Sequence, residues 1–246
     1  MFLTGHQEVK YPHLPTRGAR SEESLRALLR AQPTERLEAG EQLFIEGDQA
    51  RHVFLVVEGA LRIFKILPDG NRTITGFLLE GDVLGVSFSE SYVYSAEAIN
   101  DAKVRRIARA TLSREMAASE SLRREVLTHI ADKVAASQEH MVLLSCNSAE
   151  ERVCGFLCLY MRRTQGLADR EHLLYFPMTR LDLGDYLGLS METVSRTMAK
   201  LQRDNIISQC GRHFLRVNQP EVVKQLAGQD EHPEGYLGSA HRQVRH

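Results

Sequence analysis

Glu192, Ser195 and Arg196 lie together in the stretch GDYLGLSMETVSRTMAKLQRDNII, residues 184–207, among regularly spaced leucines. On a helix, residues three and four apart share a face. A carboxylate and a guanidinium placed so have two uses. They can pair with each other at the surface, a contact of about 0.3–0.5 kcal/mol. They can also read a base pair, since an arginine fork bonds guanine O6 and N7 while a glutamate accepts from cytosine N4. The residues around them decide between the two.

Counted from Arg180, the fifth residue is Gly184, the ninth Gly188 and the fifteenth Val194. A helix-turn-helix unit wants a small residue, a glycine and a β-branched residue at those places. The small residue lets two helices touch, the glycine takes a left-handed turn, and the valine packs the second helix on the first. Leu183, Leu187 and Leu189 fill the other inward places. Thr179 with Asp182 three residues on, and Ser190 before Met191, supply the two N-caps. The second helix then turns Val194, Met198 and Leu201 inward and Glu192, Ser195 and Arg196 outward, toward a major groove. Thr179, Arg180, Ser190, Thr193 and Arg212 fall at helix starts or on the following wing, where donors meet phosphates. From Thr179 to Arg216 there are six Lys/Arg and four Asp/Glu, a local net charge of +2 on a chain of net −1. The segment IISQCGRHFLRV, residues 206–217, reads as the hairpin wing.

Elements upstream must carry this unit. After the helical stretch EESLRALLR, residues 22–30, the runs VFLVV, LRIFKIL and TITGFLL are β-type and separated by glycine turns such as PDGN, residues 68–71. Short strands with regular turns predict a β-roll, extending through YVYSAEAINDAKVRRIA. From about Thr111 the texture becomes helical, with neither Gly nor Pro up to Cys146. Val126, Ile130, Val134, Ser137, Met141 and Leu144 step by 3.6 on average, one face of a long helix. At about 1.5 Å per residue that helix outruns a small roll, so this face is expected at a dimer interface. Ser148 and Glu151 form a capping box for the next helix. The expected organisation is a flexible tail at 1–24, a β-roll at 25–115, a dimerisation helix at 116–146, a winged helix-turn-helix at 147–228 and a second tail at 229–246. The class is α+β.

The rest of the chain excludes more than it adds. No apolar run approaches the ~20 residues of a membrane span, and the first residues hold no signal-peptide core, so a cytoplasmic protein is expected. The ten histidines are scattered, and no phosphate-loop or nucleophile-elbow motif occurs. No catalytic residue, metal or cofactor is assigned. Of the four cysteines, Cys154 and Cys158 lie four apart and read as core residues. Cys210 lies on the wing, two residues from Arg212, where oxidation would add bulk and negative charge at the nucleic acid. A small ligand in the roll would meet residues 84–88 and 92–95.

A β-roll, a long helix and a winged helix-turn-helix bearing MTRLDLGDYLGLSMETVSR resemble the Crp/Fnr superfamily of bacterial transcription regulators, over roughly residues 36–228. The Glu-x-x-Ser-Arg pattern resembles the Fnr-type reading head. That likeness implies a homodimer on double-stranded DNA at a TTG…CAA inverted repeat, with Glu192 and Arg196 at the G·C pair and Ser195 facing a thymine. Half-sites then lie about 10 bp apart. Members that bind cyclic AMP carry Glu after the glycine of a G-x-x-x-G-E run and an Arg-Ser pair further on. Here Val86 follows Gly85, and Tyr94 precedes Ser95. Members with an iron–sulfur cluster carry N-terminal cysteines and a central one. Here the first 145 residues hold none, and Arg105 stands near the central place. What remains resembles the FixK group, which includes SAEAI at residues 95–99. It implies activation of microaerobic, nitrogen-fixation or denitrification genes, set by protein abundance. It also implies contact with RNA polymerase through the roll surface and the loop TQGLADREH, residues 164–172.

Overall fold

The structure, a computed structural model, describes residues 24–87, 89–164 and 172–228. The expected tails (Ser24 apart), Phe88 and residues 165–171 of the proposed polymerase loop lie outside the described residues.

A short helix α1 (Leu25–Arg30), capped by Ser24, precedes a roll of eight strands. These are β1 (Thr34–Leu37), β2 (Gln42–Phe44), β3 (His52–Glu58), β4 (Leu61–Ile66), β5 (Arg72–Leu78), β6 (Val83–Leu84), β7 (Ser95–Ala98) and β8 (Ala102–Ala108). They form two four-stranded sheets, ordered β1-β8-β3-β6 and β2-β7-β4-β5. The inner faces close on Phe44, Phe54, Val56, Leu61, Leu78, Leu84 and Tyr92. The β4–β5 hairpin turns through residues 68–71, where Asp69 Oδ1 accepts from the Asn71 amide at 3.0 Å. A side chain that closes its own turn in this way is what the Pro-Asp-Gly-Asn run encodes.

The helical stretch divides. Helix α2 (Arg109–Ala118) ends at Ser119, and α3 (Glu120–Ser145) begins there, 26 residues long. Ser119 is extended (φ −121°, ψ 118°), and its hydroxyl accepts from Leu122 N. A serine N-cap needs no glycine or proline to start a new helix, which is why composition alone gave one continuous helix.

The first turns of α3 pack on the roll and α1. Val126 is 1% exposed, in a cluster with Leu25, Leu29, Val53, Leu55 and Ile107. Val126 is thus corrected from the expected dimer face: its methyls are spent inside its own domain. The next residue, Leu127, is 60% exposed, as are Val134 at 54% and Met141 at 62%. Those three recur every seven residues. Ser137 is also exposed, while Ile130 and Leu144 are half-buried.

The C-terminal unit contains α4 (Ala149–Thr164), β9 (Leu173–Tyr175), α5 (Arg180–Leu187), α6 (Met191–Arg203), β10 (Ile207–Gln209), β11 (Phe214–Val217) and α7 (Pro220–Leu226). The three strands pair in the order β10-β11-β9. Helix α4 opens on the expected box: Glu151 N donates to Ser148 Oγ and Ser148 N to Glu151 Oε2, both at 3.1 Å. Its apolar face, including Cys154, Phe156, Leu157 and Cys158, shares one core with Leu183, Leu187, Val194, Met198 and Leu201. Among the described residues, no helix is long and apolar enough to cross a membrane.

Candidate nucleic-acid interface

Two helices that must cross closely need a place without a side chain. At Gly184 a Cβ would stand 2.6 Å from the Leu189 carbonyl oxygen. The gap is closed by a hydrogen bond from Leu189 N to Gly184 O, 3.0 Å. Gly188 ends α5 in the left-handed region, φ 62° and ψ 40°. With the turn fixed, α6 lies across α5 on Val194, Met198 and Leu201, all buried.

The opposite face of α6 is open. Glu192 and Arg196 are exposed and Ser195 is half-exposed. Arg196 Nε donates to the Glu192 main-chain carbonyl at 3.4 Å, and among the described residues no salt bridge joins the two side chains. The Glu192 carboxyl is held below its usual range, first by its own backbone N–H, then by the Ser190 hydroxyl, and less by Arg196. It is therefore an ionised acceptor at neutral pH. A carboxylate and a guanidinium on one face, unpaired with each other, can meet a cytosine amine and a guanine edge.

The structure divides the five expected phosphate contacts. Ser190 and Thr193 stand at the start of α6, where Ser190 Oγ accepts from Thr193 N at 3.2 Å and lies 3.0 Å from Thr193 Oγ1. Arg212 is exposed at the wing tip between β10 and β11. Arg180 is half-buried, and burial lowers its pKa. Thr179 is exposed, but its hydroxyl is occupied. It accepts from Asp182 N at 3.0 Å and donates to Asp182 Oδ2 at 2.7 Å. Its part at a phosphate would be to hold the helix start rather than to donate.

Three supports were absent from the sequence reading. Lys200 Nζ, on α6, bonds both Glu150 oxygens on α4, at 2.8 and 2.9 Å. Arg152 donates to the carbonyls of Cys146 and Leu187, at 3.0 and 3.1 Å, capping the end of α5. Asp182, the capping residue of α5, is gripped by two arginines of the roll. All three depend on partners far along the chain, 35 residues away for Arg152 and Leu187, 50 for Lys200 and Glu150, and 110 to 120 for Asp182 and its arginines, so no local signal shows them.

Cys154 and Cys158 are buried in the core that α4 shares with α5 and α6. Burial, then Glu150 and Cys158, pushes the Cys154 thiol up to about 12. The thiolate is the reactive form. In folded protein at pH 8, iodoacetamide is expected to label Cys146 and Cys210, both partly exposed, at least ~100-fold faster than this pair. Peptide mass mapping over time checks it; equal rates would place the pair at the surface. Among the described residues no three His, Cys, Asp or Glu side chains gather as metal ligands.

Inside the roll, residues at the places noted in the sequence bond to other groups of the chain. Tyr94, which stands in place of the arginine, is turned inward, and its hydroxyl accepts from Gly85 N at 3.2 Å. Ser95 Oγ is an acceptor for Glu46 N, 3.0 Å. Tyr92 stacks on Phe44 with ring centroids 3.8 Å apart. Tyr92, Tyr94 and Ser95 thus have partners within the chain itself.

Comparison with known proteins agrees with this architecture. Residues 34–119 match the cyclic nucleotide-binding domain family and residues 151–226 the Crp-like helix-turn-helix domain. The nitrogen fixation regulation protein FixK of Bradyrhizobium diazoefficiens is 39% identical over 170 residues, 69% of this chain and 72% of that one. The transcriptional activatory protein AadR of Rhodopseudomonas palustris is 36% identical, over 68% and 70% of the two chains. The solved structure of FixK2 from Bradyrhizobium japonicum superposes with a TM-score of 0.74 at 33% identity, over 79% of this chain and 96% of that one. With its roll, long helix and helix-turn-helix accounted for, this chain is a FixK-like DNA-binding transcription regulator of the Crp/Fnr family.

Proposed function

We propose that the protein is a cytoplasmic homodimer that binds TTG…CAA inverted repeats, mainly as an activator, and does so without cyclic nucleotide or iron–sulfur cluster. The observation that carries the reading is the open Glu192–Ser195–Arg196 face on a helix whose reverse side is locked into the core. The partners that Tyr92, Tyr94 and Ser95 have within the roll support independence from a nucleotide, and the absence of cysteine before Cys146 supports independence from a cluster. The likeness to the nitrogen fixation regulation protein FixK supports a role at nitrogen-fixation promoters, and the proposal extends to related microaerobic and denitrification promoters. Activation implies contact with RNA polymerase.

Leu127, Val134 and Met141, with Ile130, Ser137 and Leu144 three residues after each, occupy the a and d places of a heptad. Such a stripe suits a second copy running alongside. The double variant Val134→Glu/Met141→Glu would set four carboxylates into that seam. Like charges brought together cost several kcal/mol, so the dimer should weaken by ~100-fold or more. Sedimentation velocity checks it; an unchanged sedimentation coefficient would move the interface elsewhere.

The deciding experiment measures binding of untreated protein, in air and at fixed salt, to the repeat and to a scrambled site. Specific binding without additives supports the proposal. Binding that requires a reductant or a metabolite would sink the ligand-free reading and point to Cys210 or the roll.

A further inference from the structure

We infer that Arg62 and Arg72 of the roll are positioning residues for DNA recognition: through Asp182 and Asp185 they fix the angle at which α6 is carried, and hence the spacing between two reading heads. The inference rests on the dimeric reading above.

Asp182 is 1% exposed. Its two oxygens have separate duties. Oδ2 caps α5, accepting from Thr179 N at 3.0 Å and Thr179 Oγ1 at 2.7 Å. Capping needs only that oxygen. Oδ1 accepts from Arg62 Nη1 at 2.9 Å and Arg72 Nη2 at 3.2 Å. These come from β4 and β5, 120 and 110 residues earlier in the chain. Arg72 also reaches one turn along α5, donating from Nε to Asp185 Oδ2 at 2.8 Å. Attachment at two points one turn apart fixes the rotation of a helix as well as its place.

The roll holds its side of the clamp firmly. Arg62 is also bonded to Glu97 of β7. Clamped between Glu97 and Asp182, it leaves its Nε buried without a hydrogen-bond partner among the described residues. An unmade bond of that kind costs stability. Apolar packing would hold two domains together at least as well, whereas ion pairs fix direction. Tyr186 completes the seat. Its ring lies flat on His140 of α3, centroids 3.9 Å apart and 2° from parallel, and 5.2 Å from Phe77 of β5. Because α5 and α6 meet at Gly184 without slack, what fixes α5 also fixes α6.

The test uses the full-length dimer and a set of inverted repeats with half-site separations altered by one and two base pairs. A second set has one arm scrambled, which reads a single head. Wild type is expected to lose at least ~10-fold in affinity per base pair of misplacement, comparable to a mismatch. Arg62→Met/Arg72→Met is expected to keep wild-type affinity for one-armed sites but to vary less than ~3-fold across spacings, the scale of a contact no longer read. Arg72→Lys, which keeps a positive charge facing Asp182 and Asp185, should retain part of the spacing preference, which a merely structural loss would not allow. Thermal melting checks folding, and Arg72→Met alone carries the test if the double variant melts early. An unchanged spacing profile in a folded variant would overturn the inference while leaving the proposed function intact. Wild type that ignores the repeat altogether would instead defeat the functional reading.

Discussion

Arg196→Ala is expected to abolish discrimination of the inverted repeat while leaving the fold unchanged. A bidentate arginine–guanine pair is worth about 1–3 kcal/mol, and a two-fold complex contains two, so specific affinity should fall roughly 30-fold to more than 10,000-fold. The side chain is exposed, and its hydrogen bond is a 3.4 Å contact within α6, so little stability goes with it. The loss should concentrate at the G·C pair of each arm, where mutant DNA sites become equivalent to the parent. Arg212→Ala gives the contrast. A lost phosphate contact weakens all sequences alike and lowers the salt slope by about 0.9 per contact. Fluorescence anisotropy on a panel of sites at three salt concentrations separates the two. If Arg196→Ala behaved as Arg212→Ala does, Arg196 would be a phosphate contact and the base-reading assignment would fail.

Gly184→Val should have the largest effect on stability. Even one carbon there would stand 2.6 Å from the Leu189 carbonyl, which belongs to the turn between α5 and α6 and cannot rotate aside. Alanine gains about 1 kcal/mol of helix propensity but meets that same oxygen. Valine adds two methyls at the closest crossing of the domain. Overpacking typically costs about 1–3 kcal/mol, and backbone displacement puts this site at or beyond the top of that range. For a domain of this size that lowers the melting temperature by about 10 °C or more. Calorimetry is expected to show the transition that includes α5 and α6 move to lower temperature. A variant that melts with wild type would mean the two helices can separate at no cost.

What could be read from residues alone follows the range over which each signal acts. Gly184, Gly188, Ser190 and the Thr179–Asp182 pair are local, and each lies where the spacing put it. The strands VFLVV, LRIFKIL and TITGFLL are β3, β4 and β5. The break at Ser119 was missed because a serine N-cap among helix formers looks like any exposed serine. Val126 was misplaced because α3 has two apolar faces, one against the roll and one open. A period of 3.6 cannot say which is which, and one residue is a 100° turn. The clamp on Asp182 was invisible for another reason. Its capping role explains the residue completely, and its second oxygen is answered only by arginines more than a hundred positions away.

The open stripe of Leu127, Val134 and Met141 bears on dose. On the proposed assembly it is covered only when two chains meet, and such meetings are second order. While single chains predominate, pairs accumulate as the square of the amount synthesised, so doubling production gives about fourfold more pairs. A promoter answering to pairs thus responds more steeply than in proportion to the rate of synthesis, through nothing more than the geometry of one helix.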